Sequence, residues 1–211
     1  MRGSLLKQLY ITVLSCLLLP PLSAAYASNH NDWNYEETRS DVRDFVSAGV
    51  LHVRMSVGDV HIKRGEENKI RLQYTVKSRR EKTAKESHVD FDVRGNDATI
   101  EFHTPYENNT SFDVEIEVPA NTSLDIHGKV GNVTLEKIEG DKDLSLGVGD
   151  IRIEQDESSY RVVRASTGIG DVNSEYGESS GWLGKTLKYH GQGKYELRAH
   201  VGVGDINIEG K

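Results

Sequence analysis

The chain has 211 residues, 28% of them charged and 36% apolar, and its 33 acidic against 26 basic side chains give a formal net charge of -7. That balance supplies no basic footprint for nucleic acid, whose phosphates call for clustered Lys and Arg. Twenty glycines against four prolines favour a turn-rich fold over a helical bundle, in one domain or two small ones.

Residues 1–27 read as a secretory signal peptide. Arg2 and Lys7 form a short basic start, an apolar run from Leu9 to Leu19 follows, and Ala25-Tyr26-Ala27 supplies a small-x-small cleavage site. Against an uncleaved anchor stand the shortness of the run and its interruption by Pro20-Pro21. Cys16, the only cysteine, lies inside this segment after Val13-Leu14-Ser15, but the apolar Leu17-Leu18-Leu19 that follow do not suit a lipidated mature start. Removal of the segment takes away Arg2 and Lys7, moving the net charge from -7 to -9, and leaves no cysteine. The expected product is an acidic protein of the periplasm, cell envelope or exterior, held together by packing and backbone hydrogen bonds without disulfides.

Residues 28–44 form an N-terminal segment without a clear period. Glu36 to Val46 fits a short helix or an edge strand, because Val42, Phe45 and Val46 satisfy neither pattern well. From residue 45 to 211 a single domain is expected. Strand-like alternation recurs at Ile70–Val76, Val89–Val93, Ala98–His103 and Phe112–Val118, bounded by turn residues such as Gly95-Asn96-Asp97 and Pro119. These runs suggest an antiparallel meander or irregular coils covering the N-terminal end of the domain. Lys77 to Ser87, rich in charge and poor in apolar residues, reads as a solvated loop.

A short unit then organises the chain. It occurs as Val57-Gly58-Asp59-Val60, Val130-Gly131-Asn132-Val133, Val148-Gly149-Asp150-Ile151, Ile169-Gly170-Asp171-Val172 and Val203-Gly204-Asp205-Ile206. Apolar residues alternate on both sides of it, as in Leu144, Leu146, Val148, then Ile151 and Ile153, which predicts half-buried strands with the residue before each glycine facing inward. At the Gly-Asp pair the step is three residues instead of two, so the chain must bend or bulge. Glycine tolerates positive φ there, and Asp or Asn can bond neighbouring backbone groups. Starts at 130, 148 and 169 are spaced like coils of a solenoid, and stacking would align the corners in a column. Gly128, Thr167 and Ser174 fall where apolar residues are expected, so their coils should be thinner or distorted. The expected fold is all-β and β-solenoid-like, with antiparallel strands at the N-terminal end.

Leu51 to Ile62, then Val118-Pro119-Ala120-Asn121-Thr122-Ser123-Leu124, then the series of Gly-Asp and Gly-Asn units, together resemble the bacterial "putative adhesin" family over roughly residues 45–211. The resemblance implies a β-solenoid-like fold and an envelope or secreted location. It implies no catalytic residues, because that family has no established common activity.

Motifs of chemistry fail on their context. Gly177-Glu178-Ser179-Ser180-Gly181 matches a nucleophile elbow, with His190, His200 and Asp205 as conceivable partners, but no helix is predicted after it. Gly184-Lys185-Thr186 ends like a phosphate-binding loop without its first glycine, and the Gly-x-Gly pairs at 147, 168 and 202 lack a third glycine, so no nucleotide site is expected. Asp59, Asp150, Asp171 and Asp205, interrupted by Asn132, read as turn-stabilising residues, with a weak calcium site as the alternative; no cofactor is otherwise expected. Tyr176, Tyr189 and Tyr195 with Trp182 surround the last long connection and compose a candidate recognition surface; the alternative is that Trp182 and Leu183 fold back over the apolar column. Ile208 is followed only by Glu209-Gly210-Lys211, so the final coil should carry an open edge able to self-associate, unless the Trp182 loop masks it. The functional expectation is a noncatalytic exported envelope protein that adheres to or binds a protein or glycan. The alternative is an exported β-helix enzyme acting on polysaccharide or ester substrates.

Overall fold

Alternation along Val50–Arg64 buries Leu51, Val53, Met55, Val60 and Ile62 and builds the central strand of the molecule, β2. The computed structural model describes residues 33–210, so the expected signal peptide at 1–27 lies outside the described residues. Before β2 runs β1 (Tyr35–Asp44), and after it come β3 (Lys69–Ser78), helix α1 (Glu81–Glu86), β4 (His88–Arg94), β5 (Asp97–His103) and β6 (Thr110–Val118). Four strand pairs, each joined by a Gly-Asp or Gly-Asn corner, make up most of the remainder. They are β7 (Ser123–Val130) with β8 (Val133–Glu136), β9 (Lys142–Val148) with β10 (Ile151–Glu154), β11 (Tyr160–Ile169) with β12 (Val172–Ser174), and β14 (Tyr195–Val203) with β15 (Ile206–Glu209). A lone strand, β13 (Thr186–His190), precedes β14.

All fifteen described strands belong to one continuous sheet, and β2 is its hinge. The first half of β2 pairs with β5 and β7, placing it in a first layer ordered β4-β5-β2-β7-β9-β14-β11-β13. The second half pairs with β6 and β8, in a second layer ordered β1-β3-β6-β2-β8-β10-β15-β12. From β2 through β12 the corner-bearing strands run parallel and in register. Val53, Ile126, Leu144, Ala199 and Ala165 lie side by side across the first layer, and Val60, Val133, Ile151, Ile206 and Val172 across the second. All ten are buried in one apolar core.

Each corner glycine has a positive φ, from 132° at Gly149 to 150° at Gly58. A Cβ on Gly131 would stand 1.7 Å from the Gly58 carbonyl oxygen, and one on Gly149 1.8 Å from that of Gly131, so only glycine lets adjacent corners approach this closely. Where Gly128 replaces an apolar residue, the space is filled by Met55 and Leu146 from the flanking strands, which a Cβ would meet within 2.7 Å. Thr167 is buried with its hydroxyl satisfied, donating to the Gly170 carbonyl at 2.8 Å and accepting from the Lys185 amide at 3.0 Å.

Three expectations are corrected, and one open choice is settled. The spatial order of the pairs is not the chain order: β14–β15 inserts between β9–β10 and β11–β12, so the C-terminal strand is bonded on both edges and offers no open end. The self-association expected through that coil loses its basis. In the four strand pairs the residue before the corner glycine does not face inward: Val130, Val148, Ile169 and Val203 are all close to half exposed, the buried alternation ending at Leu146, Thr167 and Val201 in three of them. Lys77 to Ser87 is not a plain loop, for it contains α1, whose Thr83 and Ala84 are buried while Lys85 bonds Glu81 one turn back at 2.7 Å. The ambiguous N-terminal segment resolves as strand, paired antiparallel to β3 over ten residues.

Candidate binding faces

The corners stack into a ladder of side chain to backbone bonds. Asp59 Oδ1 accepts from the Asn132 amide at 3.0 Å and from Asn132 Nδ2 at 2.8 Å. Asn132 Oδ1 accepts from the Asp150 amide at 3.0 Å, Asp150 Oδ1 from the Asp205 amide at 2.8 Å, and Asp205 Oδ1 from the Asp171 amide at 2.7 Å. One oxygen on each of these four side chains is thereby taken up by the next rung. Among the described residues no group of three or more His, Cys, Asp or Glu is arranged to hold a metal ion.

The aromatic residues around the last connection separate into two environments. Tyr176 is buried, its ring 6.2 Å from that of Tyr160 and 5.6 Å from that of Tyr189, and its hydroxyl donates to the Gln155 carbonyl. Tyr189 and Tyr195 are partly buried against the core, with Lys194 Nζ 5.1 Å from the Tyr195 ring centre. These three therefore pack the end of the stack, whereas Trp182 is 92% and Leu183 66% exposed. The loop covers the β11 edge with its backbone: the Gly170 amide donates to Leu183 O, and the Thr167 amide to Lys185 O. Neither Trp182 nor Leu183 folds back over the apolar column.

The outer face of the first layer gathers groups that no sequence motif marked. Because side chains alternate and the strands are in register, its polar residues form rows across the sheet. One row reads His52, Asp125, Asp143, Arg198, Arg164, Lys188, and the next reads Arg54, His127, Ser145, His200, Ser166, Thr186. The β2–β7 half is internally paired. Asp125 accepts from Arg54 at 2.6 Å and contacts His52 Nδ1 at 2.7 Å and His127 Nε2 at 2.8 Å. Partial burial pushes the Asp125 carboxyl upward, but the hydrogen bonds from Arg54 and His52 and the charges of Arg54 and His127 outweigh it and hold the group at about 2.

The β14–β11–β13 half differs. Arg198 reaches Glu196 at 3.1 Å, while Arg164 and Lys188 have no ion pair or side-chain hydrogen bond to any described residue. Beside these cations His200 Nδ1 lies 3.0 Å from Ser166 Oγ. A shallow depression of about 440 Å³ opens here, with Arg164, Lys188, Arg198, Ser166, Thr186 and His200 around it, Asp143, Ser145 and His127 on its β7–β9 side, and the apolar Leu144, Ala165, Leu187 and Ala199 also in its lining. The sequence signal for it was a dyad on each strand, Arg164-x-Ser166, Arg198-x-His200 and, reversed on antiparallel β13, Thr186-x-Lys188.

Lys142 is a further group that no motif marked. It is 3% exposed at the start of β9, donates to the carbonyls of Ile138 and Gly140, and stands 5.1 Å from the centre of the Tyr160 ring. Burial lowers its ammonium to about 7, against the opposing pull of Asp141 and Glu139.

The elbow motif finds no support in the fold. The chain beyond Gly181 is a bend and an exposed loop where an elbow needs a helix, His200 faces Ser166 instead of Ser179, and Asp205 Oδ1 belongs to the corner ladder.

No protein-family model matches the chain, and no curated protein does. Among solved structures, a "putative cell adhesion protein" from Clostridium sporogenes superposes with a TM-score of 0.51 at 18% identity, covering 83% of this chain and all of that one (100%). A "putative lipid binding protein" from Parabacteroides distasonis and a "putative adhesin" from Bacteroides fragilis each match at 12% identity with a TM-score of 0.28, covering 83% and 82% of this chain and 97% of their own. Those two superpositions are too loose to bear on the fold. The first shows a common all-β fold, and at its identity it shows the fold alone.

Proposed function

We propose that this chain is a noncatalytic, exported binding protein of the bacterial cell envelope, built on a β-solenoid-like scaffold that presents a fixed polar face to a protein or glycan. The observation that carries this reading is the pair of in-register side-chain rows on the outer face of the first layer, with its depression and the unpaired Arg164 and Lys188. Such a lattice is set by backbone spacing, so its groups are already in position before a ligand arrives, which lowers the ordering cost of binding. The shared fold with a protein described as a cell adhesion protein supports the same reading. Export rests on the sequence of residues 1–27; no described helix is long and apolar enough to cross a membrane.

The test combines localisation with binding. Expression in a bacterium should yield an envelope or secreted product whose N-terminal residue by mass spectrometry is Ser28. That product should bind on a glycan array or to a defined envelope protein while leaving ester and polysaccharide substrates intact. Hydrolysis abolished by Ser166→Ala or Ser179→Ala would overturn the noncatalytic reading, and a product that keeps residues 1–27 in the cytoplasm would overturn export.

A further inference from the structure

The basic half of the outer face has a feature that a general binding surface does not require. Lys188, Arg164 and Arg198 sit at matching register positions on three adjacent strands, each one strand spacing of about 4.8 Å from the next. In an acidic protein such a run of cations, two of them unpaired, forms a local positive field against a negative background. One side-chain row along the strands, roughly 7 Å away, lie the hydroxyl and imidazole groups of Thr186, Ser166 and His200. Charge and hydrogen-bonding capacity thus repeat together, across the strands, at the same interval.

We propose that this half of the face binds a linear acidic polysaccharide, its carboxylates on Arg164, Lys188 and Arg198 and its ring hydroxyls on Ser166, Thr186 and His200. The strand spacing is close to the length of one pyranose unit, so successive strands meet successive sugars. Guanidinium groups match carboxylates in a two-pronged geometry, and the long unpaired side chains of Arg164 and Lys188 can reach a ligand lying across the sheet. Asp143, on the next strand, suits a sugar better than a bare polyanion, because it accepts hydrogen bonds from hydroxyls and repels unneutralised charge.

This proposal rests on the reading of the chain as a binding protein, and its test separates the two. Polygalacturonate is the probe, with its fully methyl-esterified form as a neutral copy of the same backbone and inorganic polyphosphate as a sugar-free polyanion. The full chain should bind polygalacturonate, lose affinity steeply as salt rises, and ignore the ester. Arg164→Gln with Lys188→Gln should weaken binding at least tenfold. Lys82→Gln with Lys85→Gln, the same charge change on α1, should leave it within twofold, and both double variants should melt like the parent. Polyphosphate bound as tightly as polygalacturonate would reduce the face to unselective charge attraction and overturn the proposal. So would Arg164- and Lys188-dependent binding to phosphatidylglycerol vesicles in preference to the sugar polymer, which would assign the face to a membrane. Binding of neutral glycans or of an envelope protein, unaffected by Arg164→Gln and Lys188→Gln, would overturn it while leaving the general reading in place.

Discussion

The corner-bearing rungs and the N-terminal antiparallel strands bury comparable apolar columns by different means. Between the corners of the rungs the buried side chains are mostly aliphatic, with Tyr160 and Tyr176 at one end of the stack, and the chain is placed by backbone: glycine corners, amide-to-Asx bonds and parallel registers without a slip between β7, β9 and β14. Around β3 to β6 the placing is done by bulk, with Tyr74, Phe91, Phe102 and Phe112 buried and the rings of Phe102 and Phe112 5.0 Å apart. Ion pairs such as Arg71 with Glu66 and Lys77 with Asp113 decorate the outside of that region. The difference teaches where each region is fragile: the rungs to an added atom, the antiparallel strands to a removed one.

The sharpest way to break the comparison is to add one methyl group. Gly149→Ala places a Cβ 1.8 Å from the Gly131 carbonyl oxygen at a φ of 132°, and neither backbone can yield without opening the ladder. The expected result is loss of the cooperative melt. Gly95→Ala, at a φ of 65° with nothing within 4 Å of the new atom, should cost only about 1 kcal/mol. Equal losses at the two sites would mean that close approach does not set the cost in the rungs.

Removal of bulk is the complementary test. Phe112→Ala deletes a ring with 0% exposure and should cost about 3–5 kcal/mol in chemical denaturation. The same truncation of Trp182, 92% exposed, should fall within about 0.5 kcal/mol of neutral.

How much of this the sequence carried depended on whether a residue's role was local. The corners were legible because positive φ demands glycine, and because a three-residue step inside an alternating run forces the chain to bend. The spatial order of the rungs was not, since the 34-residue step from Ile169 to Val203 conceals that the later unit inserts between the earlier ones. The exposure of Val130, Val148, Ile169 and Val203 was not legible, because alternation alone does not show that the inward-facing positions end before the corner is reached. The basic row was not legible because Arg164, Lys188 and Arg198 are scattered along the chain and, read singly, each is an ordinary solvated side chain on a strand. The six residues of α1 are too few to display a helical period.

Lys142 lets pH probe the junction at the start of the rungs. Its ammonium is held at about 7 when folded and near its ordinary 10.5 when unfolded, so between these values the unfolded chain binds more protons. Stability should therefore rise with pH from about 7 toward 10.5, and the burden of the buried charge is carried in full below 7. Lys142→Met removes that charge but leaves the carbonyls of Ile138 and Gly140 without their donor, so the net gain at pH 6 should be about 1–3 kcal/mol and should vanish by pH 10. Identical pH profiles for parent and variant would show that the lysine is not the source of the slope.

A small effect decides what the corner acids are for. Asp205 Oδ1 holds the Asp171 amide at 2.7 Å, so Asp205→Ala should cost about 1 kcal/mol, the worth of one acceptor. Asp205→Asn keeps an acceptor and discards the charge, and Asn132 already occupies the equivalent position one rung from Asp59. If the acids act as acceptors, the Asn variant melts like the parent, and neither millimolar calcium nor a chelator moves either curve. If instead calcium raised the melting temperature of the parent and not that of Asp205→Asn, the column would be a cation site. The rungs would then be held by charge as well as by backbone, and the contrast with the N-terminal strands would narrow accordingly.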